Sequence, residues 1–151
     1  AIIGLLSTLA VVALNSARQK ARDAKRVADI KQVHTAMELF YNDQNGYPVG
    51  DGFNLGEGTS CTGSAACDCL DSGGFDATCS GTIYMGLIPA NPSPNGATYV
   101  YSGLDTDGAA CTAITECADY DLTFQIEVTT GALDAPTCTA TPDGITCTGT
   151  F

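Results

Sequence analysis

Eight cysteines, one histidine and the tetrapeptide Asp105-Thr106-Asp107-Gly108 are the residues whose types could do chemistry in this chain. The cysteines are Cys61, Cys67, Cys69, Cys79, Cys111, Cys117, Cys138 and Cys147. An even number, confined to a region rich in Gly, Ser and Thr, reads as a disulfide framework formed in an oxidising compartment. Zinc fits poorly, because no paired C-x2-C spacing occurs and His34 lies far from every cysteine in sequence. No C-x-x-C-H is present, so covalently attached haem is not expected. The spacing predicts that Cys111 and Cys117 bridge a loop and that Cys138 and Cys147 join a hairpin. Closing a loop of the latter size contributes roughly 2.5 to 3 kcal/mol in the chain-entropy model. It leaves the pairing of Cys61, Cys67, Cys69 and Cys79 open. Residues 105–108 resemble the opening of a calcium loop, but no glutamate follows at the required distance. A plain turn is expected there, with Asp105 and Asp107 as weak metal candidates and no other cofactor. His34 has no catalytic partner in sequence and is read as a surface or filament-packing residue. No nucleophile elbow occurs, and no enzyme activity is expected.

The elements that must position these groups begin with a long helix. Residues 1–14 (AIIGLLSTLAVVAL) are apolar, and no proline or further glycine interrupts the run until Asn45-Gly46-Tyr47-Pro48. A helix of fourteen residues is about 21 Å long, short of a bilayer core of about 30 Å. Ala17, Ala21, Ala24 and Ala28 then form a stripe of small residues that another helix can approach closely. Val27, Ile30, Val33, Met37, Phe40 and Tyr41 form a bulkier stripe suited to a domain core. Gly46 and Pro48 are expected to end the helix, the glycine by taking a positive φ. Residues 50–81 hold eight glycines and four cysteines without apolar periodicity, and read as a long disulfide-held loop. Residues 83–88 form a short apolar element and residues 89–96 a turn-rich link. Strands are expected at residues 98–102, at 120–128 and at 137–140 with 145–148 around a turn. The clearest of them is 120–128, where Tyr120, Leu122, Phe124, Ile126 and Val128 alternate with polar residues.

Charge is divided along the chain. All six basic residues lie from Arg18 to Lys31, whereas fifteen of the seventeen acids follow from Glu38 onwards. A head of that charge repels phosphate, so direct nucleic-acid binding by residues 48–151 is excluded. Only 23 of the 103 residues from Val49 onwards are Leu, Ile, Val, Phe, Met or Tyr, so the head must borrow the bulky helix face and be held by disulfides. The expected fold class is α+β: a long N-terminal helix packed on an antiparallel β-sheet, with disulfide-braced loops. The expected division is a helix over 1–47, with an apolar assembly half (1–26) and a half packed on the head (27–42), followed by a disulfide-rich β head over 48–151.

Residues 2–48, from the apolar run through the charged, alanine-rich stretch to Tyr41-Asn-Asp-Gln-Asn-Gly-Tyr-Pro48, resemble the N-terminal region of type IV pilins and pseudopilins. Residues 88–92 (IPANP) and 99–101 (YVY) look like the family's link into its sheet; Cys61 to Cys79 match no family pattern. Val12 stands where the family often has a helix-breaking proline. The resemblance implies a segment before Ala1 with a basic leader, a cleavage glycine, a methylated first residue and a glutamate. It implies a structural subunit, a major pilin, stored in the inner membrane, processed by a prepilin peptidase and polymerised at an assembly platform into an extracellular surface filament. Its partners would be copies of itself. Ile2, Ile3, Gly4, Leu5, Leu6, Leu9, Val12, Leu14, Ala17 and Ala21 would pack helix to helix in the filament. The basic band of Arg18, Arg22, Lys25 and Arg26 is expected to meet acidic faces of neighbouring heads. The alternatives are a pseudopilin of a type II-like secretion system and a membrane-tethered, disulfide-rich binding domain.

Overall fold

The computed structural model describes residues 2–57 and 67–150. Helix α1 (Ile2–Gln44) is continuous over 43 residues, about 65 Å. Eight strands follow among the described residues: β1 (Phe53–Leu55), β2 (Cys69–Asp71), β3 (Gly74–Asp76), β4 (Ile83–Met85), β5 (Tyr99–Leu104), β6 (Asp119–Gln125), β7 (Thr137–Thr141) and β8 (Gly144–Thr148). A 3-10 turn (Ile114–Glu116) precedes β6. They form an antiparallel sheet in the order β1-β5-β6-β7-β8 and a second in the order β3-β2-β4. The chain is therefore α+β, with one helix packed on antiparallel sheets.

The core follows from two periodicities. Ile30, Val33, Met37 and Phe40 of α1 are buried, at three- and four-residue spacing. Tyr120, Leu122 and Phe124 are buried at alternate positions of β6, as are Tyr99 and Tyr101 of β5. Rings from the helix end and the sheets interlock: Tyr47 meets Tyr120 edge-on at 4.8 Å, and Phe75 meets Tyr101 likewise.

The helix stop differs from its expected form. Asn45, not Gly46, takes the left-handed backbone (φ 57°), and its N–H donates to the Tyr41 carbonyl. Gly46 has another duty: a Cβ there would sit 1.8 Å from the Ile114 carbonyl oxygen. Glycine lets the chain pass against the 3-10 turn, and the Tyr47 N–H then donates to the Cys117 carbonyl. The loop closed by Cys111–Cys117 thus abuts the helix terminus.

Residues 50–57 and 67–81 are more ordered than expected. They hold β1, paired with β5, and the β2–β3 hairpin. Strands of three residues are too short to show a period of two, which is why the sequence pattern misses them. Asp71 braces the hairpin from within: one carboxylate oxygen accepts from Gly73 N–H and the other from Ser80 N–H. Cys69–Cys79, Cys111–Cys117 and Cys138–Cys147 are disulfides, the last joining directly opposed residues of β7 and β8. Cys67 is also disulfide-bonded, and Cys61 lies outside the described residues.

Candidate functional site

Along α1, three surroundings succeed one another. At the apolar end, Ile3, Leu9, Val11, Val12 and Leu14 are 51 to 81% exposed, and no described part of the head covers them. The side chains of Ile2, Gly4, Leu5 and Leu6 lie outside the described part. Ala17, Ala21, Ala24 and Ala28 are exposed as well. Among the described residues no helix is long and apolar enough to cross a membrane.

The second section is an anchor, and it corrects the reading of the basic band. Arg26 is completely buried, and all five of its guanidinium N–H groups have acceptors within its own subunit. Nε–H donates to Asn91 Oδ1 (2.7 Å), and Nη1 donates to Asp23 Oδ1 (2.5 Å) and Glu127 Oε1 (2.8 Å). Nη2 donates to the carbonyls of Pro92 (3.1 Å) and Asn95. Arg22 forms a two-pronged pair with Glu127, at 2.6 and 2.5 Å. Arg22 and Arg26 are therefore consumed inside the subunit and are not available to neighbouring heads. The physical reason is that the head has many acids and no basic residue, so a cationic partner for any head carboxylate must come from the helix. Lys25 is half-exposed and pairs with Asp29, one turn on, which also accepts from the buried Tyr99 hydroxyl. Arg18, Lys20 and Lys31 make no ion pair among the described residues.

Asp23 turns the same cluster into a chain stop. Its carboxylate accepts from Glu127 N–H and Val128 N–H at 2.9 Å and from the Thr130 hydroxyl. Those two N–H groups are thereby withdrawn from the sheet. That is why β6 ends at Gln125 rather than continuing to Val128. Gly96 completes the cluster, since a Cβ there would come within 2.9 Å of the Arg26 guanidinium. The Arg22 fork, the Asn95 amide and Arg26 hold the Glu127 carboxyl down to about 2 from its ordinary 4.5. Packing on the head thus begins near Arg22, a full turn before the expected boundary at residue 27.

The third section is the core face and a groove beside it. Ala24, Val27 and Ile30 face Leu133, Ala140 and Ile145 across a mostly apolar cavity of about 620 Å³ that opens to solvent. Lys31 and His34 stand along it. His34 is not a free surface residue, for its Nδ1 lies within hydrogen-bond distance of the Tyr120 hydroxyl. One turn further, Glu38 accepts from the Tyr47 hydroxyl at 2.9 Å. The phenols of Tyr47 and Tyr120 are pushed up by burial and then by neighbouring groups that include the Glu38 and Asp119 carboxylates.

The calcium candidates resolve into a turn: Asp105 Oδ1 accepts from Asp107 N–H and Ala109 N–H, both at 2.9 Å. Asp107 adds no further contact to it. No group of three or more His, Cys, Asp or Glu side chains that could hold a metal occurs among the described residues. Sequence reasoning missed Glu127, Asn91, Asn95 and Asp23 as a unit. The available signal was the absence of any cation in the head.

Compared with protein-family models, curated proteins and solved structures, the chain matches none.

Proposed function

We propose that this chain is a structural subunit that polymerises through the apolar end of α1 into an extracellular filament of the type IV pilus kind. One observation carries the reading. A single continuous helix is anchored to its own head from Arg22 onwards, yet leaves Ile3, Leu9, Val11, Val12 and Leu14 without cover. Apolar surface on that scale is stable only in lipid or against other protein. The small residues Ala17, Ala21, Ala24 and Ala28 on the adjoining helix let a second helix approach closely. A contact that uses one surface on one copy and a different surface on the next does not close, and so propagates as a helical polymer. The disulfides of the head suit an oxidising exterior. The assembly platform, the processing peptidase and storage in the inner membrane belong to this proposal.

The test is electron microscopy of the full-length chain produced with its secretion and assembly machinery. Filaments are expected from the parent chain. Leu9→Asp combined with Val12→Asp is expected to abolish them while the head unfolds at its original temperature. Filaments of unchanged yield from the double variant would refute the reading.

A further inference from the structure

The groove beside α1 has an apolar lining, and the same chain carries an apolar helical segment in need of cover. The two cannot meet within one molecule. The helix is continuous from Ile2 to Gln44, and the middle of the apolar segment lies about 21 residues, roughly 30 Å, from the middle of the groove. The geometry points to a second copy of this chain as the occupant. The residue 3–14 segment of one copy lies, parallel and staggered by about 30 Å, in the groove formed by α1, the 130–133 loop and the β7–β8 hairpin of the next. This assignment rests on the proposed filament and names one of its interfaces.

Three observations support it. The lengths agree: eleven helical steps from residue 3 to 14 cover about 17 Å, and the groove residues from Ala24 to His34 cover about 15 Å. The surfaces agree: Val27, Leu133 and Ile145 are half-exposed on the groove walls, and Ile30 is buried beneath them, so a ridge of Leu and Val side chains finds an apolar channel. The charges agree as well. A shift of about 21 residues sets Arg18 and Lys20 of the entering copy beside positions 39 and 41 of the receiving one. There Glu38 continues the stripe of Val27, Lys31 and His34 at helical spacing, and Glu38 and Asp119 are both exposed. Arg18 and Lys20 are two of the three cations with no ion pair among the described residues of their own subunit. The proposed contact thus uses Arg18 of the expected basic band together with Lys20, and not Arg22 or Arg26.

The experiment places a benzophenone amino acid at Ala132, an exposed residue on the groove rim, in the full chain. Filaments are assembled from mixed isotopically heavy and light copies, irradiated, digested and read by mass spectrometry. Heavy–light adducts to the peptide ending at Arg18 are the expected result. Adducts to the head of another copy, adducts to lipid, or no adduct in well-formed filaments would overturn the groove assignment and leave the filament reading standing. Absence of filaments from the parent chain would overturn both. A charge exchange checks the stagger. Arg18→Glu with Lys20→Glu should lower filament yield roughly tenfold, and adding Glu38→Lys with Asp119→Lys should restore it to within about twofold. Failure of the rescue, with heads that still fold, would overturn the stagger.

Discussion

Replacing Arg26 by methionine removes five donors at once from a site without solvent. The methionine fills most of the volume but leaves Asp23, itself fully buried, and Glu127 without their shared cation. The carbonyls of Pro92 and Asn95 and the Asn91 side-chain oxygen lose their donor too. Breaking a buried ion pair from one side costs about 3 to 5 kcal/mol, because the abandoned charge stays desolvated. Against a whole-domain stability of about 5 to 15 kcal/mol this is a large fraction. For a domain of this size it lowers the melting temperature by roughly 10 to 20 °C. Arg26→Lys keeps the charge but offers three donors from one atom and cannot reach all five acceptors, so it is expected to recover less than half of the loss. The assay is guanidinium unfolding with disulfides intact, where the midpoint should fall and the slope should not change. The loss should also shrink by about 1 to 3 kcal/mol in a Glu127→Gln background, which removes one of the two carboxylates that share Arg26. A cost under about 1 kcal/mol for Arg26→Met, or strict additivity with Glu127→Gln, would refute the claim that this cluster fastens the helix to the head.

Other predictions follow from neighbouring observations. A carboxyl held as low as that of Glu127 adds stability in full above its ordinary 4.5, and this fades as the pH falls towards 2. Acid unfolding of the parent chain should steepen over that window, and Glu127→Gln should flatten it. Gly46→Ala should cost about 1 to 3 kcal/mol in denaturant unfolding, since the new Cβ collides with the Ile114 carbonyl. Cys138→Ser with Cys147→Ser should cost about 2 to 4 kcal/mol by the same measurement, with the β7–β8 register retained.

What could be read from the sequence depended on how far apart the interacting residues were. Helix α1 and the face Ile30, Val33, Met37 and Phe40 were legible because a period of 3.6 repeats over many turns. The core of β6 was legible for the same reason with a period of two, though its end was not. Asp23, about a hundred residues away, decides that end by taking the N–H groups of Glu127 and Val128. Strands β1 to β3 were hidden because three residues show no period, and glycine and cysteine dominate their surroundings. The anchor was hidden for another reason. Arg22 and Arg26 look like solvated members of a basic band, and only the fold brings Asn91, Asn95 and Glu127 to them. The contact of His34 with Tyr120 was hidden likewise, the two being 86 residues apart. The apolar end of α1 needed no fold to be noticed, and its exposure in the folded subunit sharpens the question of what covers it.

The most direct test of that question is a helical reconstruction by electron cryomicroscopy of the assembled full-length chain. The account predicts a filament in which Ile3, Leu9, Val12 and Leu14 are buried against other copies and the heads face outwards. Discrete particles, or a filament whose apolar helix ends project into solvent, would contradict it.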